Sequence, residues 1–165
     1  MFDTTELAAV TIHEFRRGLE GLTEAEAAFR PEKADGTRMN AVAWSVQHIA
    51  NHWRNVALAV AGRSLEWRGP PVDGTPPDYR AALAMLDDAT LDLDWLAGAG
   101  NAAMLRTDVE LGGESAGTFL ARAVLHTWFH TGEINAVRQL LGHAEIAFVG
   151  TAAGRLKWCV EPARG

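Results

Sequence analysis

Cysteine is almost missing from this sequence, with one residue, Cys159, among 165. No intramolecular disulfide can form and no Cys-x-x-Cys is present to hold a structural zinc. A lone thiol without a placeable activating base reads as packing rather than as a nucleophile. Long apolar runs are missing too. Every hydrophobic stretch is broken by His, Arg or Asn before the roughly 18–20 residues that a membrane span requires, which excludes a membrane partner. The opening residues, Met1 to Glu6, lack the basic-then-apolar pattern of a secretory signal, so the cytoplasm is the expected compartment. No run of Lys or Arg occurs and the formal net charge is −6, a balance that argues against nucleic acid as a partner. There is neither a G-x-S-x-G nucleophile elbow nor a phosphate-binding P-loop.

What is present is an ordinary globular composition, with 48% apolar and 22% charged residues. The length predicts one domain over residues 1–165 with a single core. Asp3 to Glu6 offer capping side chains, and Leu7, Val10, Ile12, Phe15 and Leu19 follow at helical spacing to about Gly21. Leu22 to Phe29 reads as a helical turn that Pro31 stops. Asn40 is the expected N-cap of a helix running to about Gly62. Four of the six prolines (Pro70, Pro71, Pro76 and Pro77) then mark a long irregular connection over residues 63–77 that could shape the mouth of a site. Asp78 should start a third long helix ending near Gly98. Thr107 to Leu111 could be a short strand, and a last helix should run from about Ala116 to Leu141, closed by Gly142. From Phe148 onward only a short piece, Leu156 to Val160, is suggested. Four helices of roughly 18–25 residues with little strand signal predict an all-α four-helix bundle.

The histidines carry the chemistry. His126 and His130 stand four apart within the last helix, and His48 and His52 repeat that spacing in the second long helix. In a helix, residues four apart leave the same face with β-carbons about 5–6 Å apart. Two neutral imidazoles can then reach one divalent ion at about 2.0–2.1 Å each. A lone histidine on an apolar face is more often a hydrogen-bonded core residue, and an exposed pair can be mere surface. Two pairs in separate helices shift that balance. His126 and His130 lie among Leu125, Phe129, Ile134 and Val137, and several buried imidazoles cost free energy unless something keeps them neutral and satisfied. Packed helices run about 8–10 Å apart, so one histidine of the earlier pair could complete a triad, with His48 and His52 as competitors for that place. The zincin motif H-E-x-x-H is absent, since Thr127 occupies the glutamate position, and the Glu-x-x-His pattern of di-iron bundles is missing. The six tryptophans read mainly as core. Trp44 and Trp128, each within a turn of a candidate ligand, are expected to wall a substrate pocket. His13 reads as surface or packing, and His143 as a helix-end residue, favourable there if protonated.

At these residues the sequence resembles the DinB/YfiT-like superfamily of small metalloproteins. The resemblance rests on Trp44-Ser45-Val46-Gln47-His48-Ile49-Ala50, on the H-x-x-x-H-x-G-[EQ]-I pattern from His126 to Ile134, and on Leu22-Thr23-Glu24 leading to Arg30-Pro31. It covers nearly the whole chain in the family's order. It implies a four-helix bundle with up-down-down-up connectivity, often homodimeric, holding one zinc or nickel ion through His48, His126 and His130. His52 falls one turn past the ligand position, where the family commonly has an acidic residue. Glu133 fills the family's Gly-Glu/Gln slot, which implies a partner within the bundle rather than a catalytic base. Characterised relatives include S-transferases that use low-molecular-weight thiols (mycothiol, bacillithiol or glutathione). A metal-dependent S-transferase joining such a thiol to an electrophile, in detoxification or stress response, is therefore the first expectation. A metal-dependent hydrolase, with His52, Glu14 or His13 handling protons, is the second. A non-enzymatic metal-binding stress protein is the third.

Overall fold

A computed structural model describes residues 4–71, 74–91, 93 and 112–148. Among these residues the chain forms helices and no strand: α1 (Thr4–Arg17), α2 (Glu24–Ala28), α3 (Val42–Val60), α4 (Tyr79–Thr90) and α5 (Ala116–Leu140). The expected strand at 107–111, the end of the third long helix beyond residue 93 and the piece at 156–160 lie outside the described residues, as do Trp95, Trp158 and Cys159. Two helices are shorter than expected, α1 with 14 residues and α4 with 12.

Side-chain caps set most of the starts. Thr23 accepts from the Glu26 amide while the Glu26 carboxylate accepts from the Thr23 amide, a reciprocal capping box at α2. Asp78 accepts from the Ala81 amide at 2.7 Å, and Ser115 from the Thr118 amide at 3.1 Å. The α3 start corrects the sequence reading. Its N-cap is Ala41, with no side-chain cap bond, and Asn40 stays exposed outside the helix. Ala41, Val42 and Ala43 are all buried, so hydrophobic contact anchors this end where a polar cap was expected. Gly142, at φ 89°, closes α5 in the left-handed region, and the His143 amide returns to the Arg138 carbonyl.

Helix α3 is the centre of the packing, with α4 and α5 against it, and α1 lies against α5. Its buried stripe of Val42, Val46, Ile49, Trp53 and Val56 meets Ala82 and Leu86 of α4 and Phe119, Ala123, Ile134 and Val137 of α5 in one apolar cluster. Polar ties fix the helices relative to one another. The indole of fully buried Trp53 donates to Thr127 Oγ1 at 3.1 Å, joining α3 to α5. Buried Arg138 donates to the Gly18 and Glu20 carbonyls at 3.2 and 2.7 Å, which satisfies acceptors just past the end of α1. Asn51 and Asn55, buried on α3, dock the following irregular segment. Asn51 Oδ1 accepts from the Arg68 amide and Asn55 Oδ1 from the Glu66 amide, each at 2.7 Å. No described helix is long and apolar enough to cross a membrane.

Candidate metal centre

The α3–α5 contact brings His48, His126 and His130 to one point. Their candidate donor atoms all lie within 4.8 Å of one another. His126 Nε2 meets His48 Nε2 at 3.2 Å and His130 Nε2 at 3.1 Å. Bonds of about 2.0–2.1 Å from one cation, at angles between square and tetrahedral, set nitrogens about 2.9–3.4 Å apart. Both of those contacts fall in that range.

The proton count points the same way. His130 Nδ1 lies 2.6 Å from Glu133 Oε2. A carboxylate only accepts, so Nδ1 carries the proton and Nε2 turns a lone pair toward the other two rings. A single proton on His126 Nε2 can be aimed at only one of its two neighbours. A cation accepts all three lone pairs at once. Glu133 thus stands where a carboxylate behind a metal-bound histidine would stand, and its contact orients the His130 ring.

Burial favours the neutral form of His48, His52 and His126. Desolvation, followed by the neighbouring histidines, pushes His48 from the ordinary 6.5 down to about 3. His52 falls to about 4 through burial first, then His126, His130 and Arg122. His126 is lowered by burial, with His130 and Arg122 adding to it and Glu133 opposing. Neutral imidazoles are the metal-binding form, so His48 and His126 can meet a cation near pH 7 without first shedding protons.

The other expected residues divide. Trp44 is at the site, stacked on His48 with centroids 4.8 Å apart and planes 25° apart, and its indole donates to the Pro71 carbonyl at 3.0 Å. Trp128 is not placed as expected. Its indole donates to Thr11 Oγ1 at 3.2 Å, on α1, because one residue beyond Thr127 the helix has rotated toward that neighbour. His52 packs edge-on against His126 at 4.5 Å and His48 at 4.7 Å, with Trp67 beside it at 5.2 Å. Glu14 is fully buried and pairs with Arg17 at 2.5 Å, while exposed His13 lies 3.8 Å from it. His143 pairs with Glu26 of α2 at 2.9 Å.

Asn51 and Asn55 support the surroundings of the site, a part the sequence reading did not give them. By holding Glu66 and Arg68 they fix the segment that carries Trp67 against His52 and Phe119. Their signal was two amides at i,i+4 spacing, interleaved with the His48/His52 pair. A recess of ≈ 140 Å³ opens beside His126, lined by His52, Phe119, Arg122, Ala123 and Leu125. A roomier groove of ≈ 520 Å³ between α3 and α4, near Arg54, Leu58 and Asp88, has no histidine in its lining. Size is therefore not what marks the site.

Fold and site together define an all-helical chain with a three-histidine candidate metal centre between two of its helices. A family profile described as the DinB superfamily matches residues 8–134, and the chain belongs to that superfamily. The matched span contains all three histidines and Glu133. No curated protein and no solved structure matches the chain.

Proposed function

We propose that this protein is a metal-dependent S-transferase in which His48, His126 and His130 hold one zinc or nickel ion and a low-molecular-weight thiol attacks an electrophile. The observation that carries the reading is the double contact at His126 Nε2, with Glu133 fixing the tautomer of His130. A divalent ion held by His48, His126 and His130, three neutral side chains, would keep its full charge and would favour a thiol in its thiolate form, the nucleophilic one, near pH 7. No nucleophilic side chain is then needed, in keeping with a sequence whose one cysteine lies far from the motif helices.

The chain's own residues supply position and exclusion of water. Trp44 stacks on His48 and restrains that ring. Glu133 holds His130. His52, Phe119, Leu125 and Arg122 line the recess beside His126, where an electrophile with an apolar body and a polar or anionic edge fits best. Cytoplasmic thiols such as mycothiol, bacillithiol or glutathione are the expected nucleophiles, and removal of reactive electrophiles under stress is the expected role.

Two measurements test this. Elemental analysis of protein purified without a histidine tag should give about one divalent ion per chain, lost in His126→Ala. The metal-loaded protein should conjugate a chromogenic electrophile with at least one of the three thiols. Silence with all three would remove the S-transferase assignment. Chelator-sensitive turnover without added thiol would put hydrolysis in its place.

A further inference from the structure

A ring-sized recess and an open guanidinium edge meet beside His126. The recess has a volume of ≈ 140 Å³, and an apolar cavity of about 150 Å³ holds a single benzene ring. Its floor is apolar and buried, with Phe119 2% and Ala123 1% exposed. Half-buried His52 and His126 stand at its sides, and exposed Leu125 and Arg122 form its rim. The aromatic wall is held in place from behind. Trp67, itself 55% exposed, meets the His52 ring at 5.2 Å and the Phe119 ring at 6.2 Å, centroid to centroid. The backbone on either side of Trp67 is tied to α3 through Asn55 and Asn51. Walls fixed in this way lose little freedom when a ligand arrives.

Arg122 supplies the polar end. Both of its bonds to Glu114, at 2.6 and 2.7 Å, leave from Nη1. Among the described residues Nε and Nη2 have no acceptor. Two parallel N–H groups of a guanidinium match the two oxygens of a carboxylate. The guanidinium carbon lies 5.9 Å from the Phe119 centroid, so one small molecule can touch both the open edge and the apolar floor. Its charge is felt across the recess as well. After burial and the neighbouring histidines, it adds to the lowering of His52 and His126.

We propose that this recess is the electrophile subsite and selects a small aromatic monocarboxylate, its ring inward against Phe119 and His52 and its carboxylate outward on Nε and Nη2 of Arg122. The volume admits one ring. Burial sets the direction of entry, because a carboxylate driven to the Phe119 and Ala123 floor would lose water without gaining a donor. An aromatic body is favoured over an aliphatic one by ring contacts with His52 and Phe119 that add to area burial. Arg122 is then the specificity-determining residue, and Glu114 steadies it without occupying the open edge. That the ligand is the electrophile rests on the S-transferase reading; that it binds here does not.

Ligand-observed NMR titration of the purified protein with benzoate, benzamide and acetate reads this without any turnover. Benzoate should bind roughly tenfold more tightly than benzamide, which keeps the ring and loses the charge. Acetate, which keeps the charge and loses the ring, should also bind more weakly than benzoate. Arg122→Met should bring benzoate down to the level of benzamide and leave benzamide unchanged. Arg122→Lys, with the charge but not the fork, should retain only part of the preference. Circular dichroism checks that both variants keep their helix content, as expected at an exposed position. The preference should also survive removal of metal by a chelator. A protein that binds benzoate no better than benzamide overturns the proposal, and so does a preference that survives Arg122→Met. A preference that vanishes with the ion places the carboxylate on the metal and overturns it equally. Binding as expected with no conjugation by any thiol removes only the S-transferase reading, whereas conjugation with no preference for a carboxylate removes only this one.

Discussion

The two histidine pairs have the same spacing and different fates. In α5 both rings turn their Nε2 atoms to one point, 3.1 Å apart, and Glu133 one turn on holds His130 in the tautomer that exposes its lone pair. In α3 only His48 reaches that point, while His52 packs edge-on between His126 and Trp67. An i,i+4 spacing places two imidazoles on one face. Which of them can bind is decided by the neighbouring helix and by the group behind each ring. His130 has a carboxylate, His48 has the stacked face of Trp44, and His52 has aromatic neighbours that restrain it without aiming a lone pair.

The sharpest way to break that comparison is to truncate one member of each pair. His126→Ala removes the nitrogen that both other candidate ligands face, and complete loss of stoichiometric metal is expected by elemental analysis. His52→Ala should keep the metal while altering turnover or substrate preference through the recess. If His52→Ala loses the ion and His126→Ala retains it, the ligand assignment is inverted. Glu133→Gln should have the next largest effect. A neutral amide no longer fixes the His130 tautomer, and affinity should fall about 10–100-fold with helix content unchanged. Competition against a chromogenic chelator measures this, and an unchanged affinity would reduce Glu133 to a surface partner.

Much of this was legible in the residues. Asp78, Ser115 and the Thr23/Glu26 box announced their helix starts because side-chain capping is local chemistry. The spacing of the histidines told which rings share a face. It did not decide between His48 and His52 for the third place, since that depends on how α3 is rotated against α5. The Ala41 start was hidden because burial, not a cap, anchors it. Trp128 is two residues from both His126 and His130, but two residues are about 200° of helix, and its indole turns to Thr11 of α1. Asn51 and Asn55 were missed for a further reason. Their partners are backbone groups of an irregular segment, and no periodicity in that segment records the pairing.

Titration sharpens the comparison further. The folded protein holds His48 at about 3 and His52 at about 4, against an ordinary 6.5. The unfolded chain therefore takes up protons that the folded metal-free chain refuses. Stability from these groups is full above 6.5 and is lost as pH falls through 6.5 toward 4 and then 3. The denaturation midpoint of the metal-free protein should fall between about pH 7 and about pH 5, and His52→Gln should flatten that slope. This window lies above the range in which Glu26 titrates, from 4.5 unfolded to about 2 folded. A flat profile in the wild type would mean that the imidazoles are hydrated rather than buried.

The smallest expected effect separates the support of the site from the site itself. Thr127 follows His126 directly, yet its hydroxyl faces α3, where it accepts from the Trp53 indole and donates to the Ala123 carbonyl at 2.7 Å. Thr127→Val keeps the shape and leaves the Trp53 N–H buried without an acceptor, a cost of about 1–3 kcal/mol. Chemical denaturation should register that loss, while metal stoichiometry should be unchanged because no candidate ligand has moved. If stability is unaffected, the indole has found another acceptor and the tie between α3 and α5 rests on apolar packing alone. If metal is lost along with stability, the hydroxyl sets the rotation of α5, and the aim of His126 and His130 depends on a residue that touches neither ring.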